Sequence, residues 1–434
     1  MWFNLKFNNV NNNNQKMGFN VKVYIVGAGI SGLYSAFLLS NAGVDVEIFE
    51  ASCRSGGRIN SFMDDRGGFV ELGAEIAYAP ESPLMKYLNK LEIPVFEYDE
   101  LSYYYYENTL ISEDNIERLP DLKRLLNEID ELEEYNGQEM SLLDYFKRFP
   151  FYTDKMENLL NAFACEYGTT AEAIGVLSLA NEESRWSGGD EEYYMKTPFQ
   201  NVSNYFCSKV SGKIHYNKCI KTIYHTGSNV CLIDEDLKQH NADKVIVTVN
   251  LGILKAGDIV FEPPLSSSKK EAILNIGIEK GIKVILQFSQ AWWPKDLMTI
   301  EGGHICYEYL ASKNYDIPTL TGFIMGRKVD DVCDLNQQAL TDILLNELND
   351  LFLCSKPVDT FKYSFVKHWG DDQFHKGAYS FSTPDSQKMR ERLSEPEGDN
   401  LFFCGEACNV DGHAASVHGA MESAERVCKL ILGE

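Results

Sequence analysis

The sequence contains no apolar run near the roughly 18 residues that a bilayer span requires, so no transmembrane helix is predicted. Its opening segment, MWFNLKFNNVNNNNQKMGFN, lacks a basic stretch followed by an apolar one and does not read as a secretory signal. The asparagine tract within it is expected to be a disordered tail over residues 1–20, with Met17 as an alternative start. The eleven cysteines are odd in number, run from Cys53 to Cys428 and form no zinc-type CxxC pairs. Cys404 and Cys408 stand close together but have no matching second pair, which argues against a metal site. Free thiols of this kind point to a reducing, cytoplasmic setting. Basic residues are also short, with 40 Lys and Arg against 64 Asp and Glu and a net charge of −24. That balance excludes nucleic acid as a default partner. It either steers cationic ligands inward or serves solubility alone. No repeat of solenoid period is present, and nothing in the sequence fixes an oligomeric state.

What is present begins at residue 21. Val21–Val26 is a β-branched run that reads as a buried parallel strand, and it leads into Gly27-Ala28-Gly29-Ile30-Ser31-Gly32. An apolar helical pattern follows through Leu33, Ala36, Leu38 and Leu39, stopped by Asn41-Ala42-Gly43. Val44–Phe49 forms a second strand closed by the carboxylate of Glu50. In this spacing Gly27 permits a tight turn, Gly29 lets the backbone approach a diphosphate, and Gly32 lets helix and strand pack closely. The helix N-terminus offers free N–H groups to the anion. Glu50 stands where it accepts hydrogen bonds from a ribose diol and repels a 2′-phosphate.

The residues after the second strand narrow the reading. Ser55-Gly56-Gly57-Arg58 resembles the second glycine-rich turn of the glutathione-reductase-like flavoproteins, and Val70–Glu75 resembles the strand and turn that follow it. Ala242–Val249, continuing through Asn250–Lys255 and Phe261–Leu265, resembles a stretch of the flavin-containing amine oxidases, the monoamine, polyamine and histone-demethylase-type enzymes, with Asn250 where the family carries proline. Further segments carry the same resemblance: Lys213–Ile220, which resembles the family's strand at the adenine edge, Gly281–Phe288 with Trp292-Trp293-Pro294, His368–Ser380, Leu401–Ala407 and Ser416–Arg426.

That resemblance spans residues 21 to 432 and implies an α/β fold: a Rossmann FAD-binding domain of glutathione-reductase type, assembled from discontinuous segments, with an α+β substrate-binding domain. The cofactor side is expected at 21–80, 206–264 and 386–434, and the substrate side at 81–205 and 265–385. The resemblance assigns Arg58 to the diphosphate or flavin edge, Ile220 to the adenine edge, Glu406 to the ribityl chain and the Val417 N–H to the flavin pyrimidine edge. Trp369 stands on the cofactor side as well. Lys283 is the lysine bonded through water to flavin N5, and Tyr379 is one wall of an aromatic cage. Ala378 falls where monoamine oxidases carry a flavin-bonded cysteine, so non-covalent FAD is expected.

The implied reaction removes a hydride equivalent from the carbon beside an amine nitrogen, yielding an imine, then an aldehyde, and hydrogen peroxide from oxygen. Ser416 stands where the opposite cage wall is aromatic in many relatives. Together with the net acidity, this favours a polyamine over a monoamine. An L-amino acid oxidase needs an arginine clamp, for which Arg185 and Arg327 are available. A desaturase or isomerase, and a flavin-free escort protein of the same architecture, are further alternatives. His418 is read as a packed residue, with a ligand or base role left open. Leu122–Phe149 is expected to be helical, and Tyr103–Tyr106 a half-buried strand or loop unless it lines a cationic substrate's path.

Overall fold

The computed structural model describes residues 21–434 except 64–67, 98–99, 188, 190, 228 and 354–355. The asparagine-rich segment 1–20 therefore lies outside the described residues. The β-branched runs do what their burial demands. Val23 and Ile25 are fully buried on one face of the Lys22–Val26 strand, and Tyr24 and Val26 are nearly so on the other. A strand covered on both faces belongs inside a parallel sheet.

That sheet has five strands, in the order Leu401–Phe403, Lys244–Val247, Lys22–Val26, Asp45–Phe49 and Ile214–His215, all parallel. One face is covered by the helices Ile30–Asn41, Gln200–Lys209 and Val417–Leu432. A four-stranded sheet that includes Ile220–Tyr224 and Val230–Asp234 covers the other. The core around this sheet draws on residues from further along the chain on both of its faces. Met195, Phe199 and Val202 pack with the first helix, while Leu265, Ala272 and Ile276 pack beneath Val245 and Leu401.

A second sheet of seven strands carries the other half of the molecule. Its order is Phe361–His368, Gly281–Phe288, Thr319–Met325, Glu308–Ser312, Leu297–Glu301, Leu101–Tyr106 and Thr109–Ser112. The tyrosine run is a strand of this sheet. Period-2 alternation sends Tyr104 and Tyr106 toward the helical layer and Tyr103 and Tyr105 toward the opposite core. Among the described residues, no helix is long and apolar enough to cross a membrane.

Two local expectations differ from the structure. Leu122–Phe149 is helical only in part: Pro120–Asp130 and Leu142–Phe146 are separated by a 3-10 turn and the Asn136-Gly137 break. Lys213–Ile220 is not one strand. After Ile214–His215 the backbone N–H groups of Asn217 and Lys218 bond the carbonyls of Ser52 and Glu50 at 3.0 and 2.9 Å, and Asn217 turns left-handed at φ 54°. The chain is drawn toward the Glu50 loop there, and Ile220 starts a separate strand.

Candidate active site

The glycine turn is built as its spacing requires. Gly27 has φ +111° and its N–H donates to the Phe49 carbonyl at 2.8 Å. A Cβ on Gly32 would stand 2.1 Å from the Gly27 carbonyl oxygen, so helix and turn approach to a distance only glycine permits. A Cβ on Gly29 would meet nothing within 4 Å, because that position opens into a cavity. Gly29 is also the N-cap of the Ile30–Asn41 helix, and no side chain occupies its free N–H groups. Glu50 shapes the same turn: one oxygen accepts from Ala28 N at 2.7 Å and the other from Ser52 N and Oγ at 2.8 and 2.7 Å.

The cavity measures about 1020 Å³ and runs from this turn to the second sheet. Gly27, Gly29, Glu50, Arg58, Ile220, Lys283, Trp369, Tyr379, Glu406 and Val417 all line it. Gly32 stands behind the turn rather than on the wall. Segments up to 390 residues apart thus meet around one space.

In the middle of the cavity Arg58 donates to Glu406 and to the Ala378 carbonyl, both at 2.8 Å. The second Glu406 oxygen accepts from Ser380 Oγ at 2.6 Å and Ala415 N at 3.1 Å. Burial pushes the Glu406 carboxyl up, but Arg58, Ser380 and Arg390 outweigh it and hold the group below the usual carboxylate range. Ser416 spends its hydroxyl on the backbone, donating to the His413 carbonyl and accepting from Gly419 N at 2.9 Å, so it caps the C-terminal helix. That leaves the first turn around Val417 at the cavity edge. His418 is 1% exposed, lies off the cavity, and packs against the rings of His413, Trp186 and Tyr78. Burial and the neighbouring His413 press its pKa down to about 4. Asn250 caps the Leu251–Ala256 helix through Gly252 N and donates to the Gly377 carbonyl at 3.3 Å, so this turn is held by a side-chain amide.

At the far end Lys283 projects from the wholly buried Gly281–Phe288 strand. A buried ammonium needs partners, and it has two: Glu75 Oε2 at 2.6 Å and the Gly73 carbonyl at 2.9 Å. Tyr379 donates to the Cys165 carbonyl at 3.2 Å. Its ring packs where a Cβ on Gly168 would intrude to 2.6 Å. Trp369 donates from its indole nitrogen to the Leu72 carbonyl at 2.9 Å.

Sequence reasoning missed the acidic wall beyond these residues. Glu166, Glu192, Glu301 and Glu308 all line the cavity, with Tyr78, Ser102 and Thr299 among them. Glu301 and Glu308 are register partners on antiparallel strands, so two carboxyl groups lie directly opposite each other. Glu347 fixes the turn that joins them, accepting from His304 N and Ile305 N at 2.6 Å each, Cys306 N at 3.2 Å and Tyr309 Oη at 2.6 Å. Burial, and then the charge of Glu301 and Glu192, push Glu308 up to about 8. Burial, partly offset by Thr299 and Ser102, pushes Glu301 up to about 7. Burial, reinforced by the surrounding glutamates, raises Glu166 far above the carboxylate range. Among the described residues no His/Cys/Asp/Glu group has the makings of a metal site.

A dinucleotide cradle continuous with a chamber that carries a buried lysine and a tyrosine is the site of a flavoenzyme. The open position at Gly29, the free helix N-terminus and the Arg58–Glu406 pair fit a flavin dinucleotide. The chain belongs to the family of flavin-containing amine oxidoreductases, whose pattern its residues 30–432 match. It is 27% identical to polyamine oxidase 3 of Oryza sativa subsp. japonica over 95% of this chain and 90% of that one. It is 24% identical to an L-amino-acid oxidase of Vipera ammodytes ammodytes, over 92% of this chain and 90% of that one. Its fold matches that of putrescine oxidase bound to putrescine, with a TM-score of 0.81 at 20% identity over 95% of this chain and 99% of that one. Cyclohexylamine oxidase from Brevibacterium oxydans IH-35A matches with a TM-score of 0.82 at 18% identity, over 94% and 99% of the two chains. The protein is an oxidoreductase acting on CH–NH groups, and flavin is its cofactor.

Proposed function

We propose that the chain is an FAD-dependent oxidase of polyamine-like substrates, converting a secondary or primary amine to an imine and then an aldehyde, with oxygen reduced to hydrogen peroxide. The acidic wall carries this reading. Glu301 and Glu308, directly opposed on the cavity wall, are suited once ionised to the distal cationic groups of a long amine. Arg185 and Arg327, the arginines available for a carboxylate clamp, pair with Glu391 and Glu172 and do not line the cavity. That weighs against an amino acid substrate.

In this reading the residues divide as follows. Gly27, Gly29 and Gly32 admit the FAD diphosphate, Glu50 takes the ribose diol, and Ile220 lies at the adenine edge. Arg58, Glu406, Val417 and Trp369 hold the ribityl and ring portions without a covalent link, since Ala378 offers no thiol. When bound, the flavin supplies the two-electron acceptor. Tyr379 aligns the reacting nitrogen, and Lys283 holds a proton-bearing group beside the reacting centre. The two sheets stand for the cofactor and substrate domains, and the free thiols suit a cytoplasmic setting.

A visible spectrum with anaerobic addition of an amine panel tests the reading. Flavin bands bleached by spermine or spermidine are expected, with the yellow colour left in the supernatant after acid precipitation. Bleaching by an amino acid alone would sink the polyamine assignment.

The acidic wall has its own test. The combined variant Glu301→Gln/Glu308→Gln is expected to raise KM for a triamine about tenfold or more, a loss of about 1.4 kcal/mol, while KM for a monoamine barely moves. The carboxyls must ionise to meet a cation, and their pKa values are raised to about 7 and about 8. KM for the triamine in the unsubstituted protein therefore falls as pH rises through that range. A KM–pH series that is equally steep in the variant would show that these groups do not bind the substrate.

A further inference from the structure

The Glu75 carboxylate is only half used. It is 4% exposed, its Oε2 holds Lys283 at 2.6 Å, and its Oε1 has no hydrogen-bond partner among the described residues. Its backbone is pinned as well, since Asn314 Nδ2 donates to the Glu75 carbonyl at 3.2 Å. Glu75 and Lys283 both line the cavity. Two of the three Lys283 N–H groups have acceptors, in Glu75 Oε2 and the Gly73 carbonyl. A buried carboxylate oxygen left without a donor costs free energy until something with a hydrogen to give arrives.

We propose that Glu75 is a general base that activates a water molecule to hydrate the imine product inside the cavity. This rests on the amine oxidase reading above. A water held by the remaining Lys283 N–H and by Glu75 Oε1 satisfies both groups at once. The substrate's own ammonium is a poorer occupant, because an anion beside the reacting nitrogen would keep it charged and withhold its lone pair from the reaction. The imine is protonated and electrophilic, so a carboxylate suffices as base.

In the step, a bond forms between the water oxygen and the imine carbon as the C=N π pair moves to nitrogen, and one water proton passes to Glu75 Oε1. The resulting carbinolamine then breaks its C–N bond. The departing nitrogen recovers the proton from Glu75, the hydroxyl proton is lost to solvent, and an aldehyde remains. No electrons are exchanged. Lys283 orients the Glu75 carboxylate, and Glu75 compensates the lysine charge that would otherwise repel a cationic substrate.

The test is an anaerobic single turnover with spermidine, quenched with sodium borodeuteride. Aldehyde is then recovered as deuterated alcohol and imine as deuterated amine. Flavin content and bleaching are read in the same sample. The unsubstituted protein is expected to yield mainly alcohol. Glu75→Gln should bleach normally while shifting the alcohol-to-amine ratio toward amine by about tenfold or more, and Glu75→Asp should recover part of the shift. Glu75→Gln leaves Lys283 unpaired and buried, so its melting temperature is read beside the ratio, and Glu75→Asp, which keeps the pair, separates loss of the base from loss of the fold. Normal bleaching with an unchanged ratio in Glu75→Gln overturns the role of Glu75 alone. Absence of bleaching in the unsubstituted protein overturns the oxidase reading and this inference with it.

Discussion

Lys283→Met is expected to slow aerobic turnover by about 10²–10⁴-fold, the range over which a positioned proton-transfer group contributes, while the protein still purifies yellow. Lys283 lies in the middle of a strand whose eight residues are all buried, and it reaches the cavity beside Glu75 and Gly73. Its side chain and that of Glu75 are 5% and 3% exposed. Truncating one member of such a pair strands the other charge, at a cost of about 3–5 kcal/mol. A lower melting temperature in Lys283→Met is therefore expected and does not by itself report on catalysis. The double variant with Glu75→Gln separates the two effects: stability should return, and turnover should not. Stopped-flow reoxidation of the reduced protein, together with the flavin-to-protein absorbance ratio, checks the claim. A turnover rate equal to that of the unsubstituted protein would remove Lys283 from the chemistry.

The cradle glycines should fail in two different ways. In Gly32→Ala the new methyl meets the Gly27 backbone oxygen at 2.1 Å and Thr248 Oγ1 at 3.0 Å. Gly27 cannot retreat freely, because it holds φ +111° and Thr248 donates to both the Val26 and Gly27 carbonyls. Helix and strand must part, and overpacking of this kind costs about 1–3 kcal/mol. Both the melting temperature and flavin retention should fall. In Gly29→Ala the methyl meets no protein atom within 4 Å and projects into the cavity, where the proposed cofactor's diphosphate would lie. That variant should fold with an unchanged melting temperature in its flavin-free form, yet lose flavin affinity by more than tenfold, about 1.4 kcal/mol. Thermal melts of flavin-free protein and flavin titrations decide the matter. Equal flavin binding by both variants and the unsubstituted chain would mean that the turn does not hold the cofactor.

The contrast between these sites and the acidic wall shows what a sequence exposes. The glycine turn, Glu50 and Arg58 are legible because their spacing along the chain is itself the geometry: strand, turn and helix follow one another without interruption. Lys283 is legible for another reason, since a lone cation in an apolar strand is an energetic anomaly wherever it occurs. Its partner Glu75 lies 208 residues earlier and is visible only once the sheets have met. The four glutamates of the wall are harder still. Glu166 ends a helix, Glu192 precedes a short strand, and Glu301 and Glu308 sit at strand termini, which are ordinary places for solvated acids. Only the antiparallel register of two strands turns Glu301 and Glu308 into an opposed pair. The broken strand at Asn217 was hidden likewise, because the force that bends it comes from the carbonyls of Ser52 and Glu50.

The central sheet receives its last strand, Leu401–Phe403, and the first helix its last packing partner, Val417–Leu432, from the end of the chain. Glu406 and Val417, two walls of the cavity, arrive with them. No enclosed chamber can therefore form before residues 401–432 have joined the sheet and the first helix. A chain cut before Leu401 would lack these walls and is expected to purify colourless.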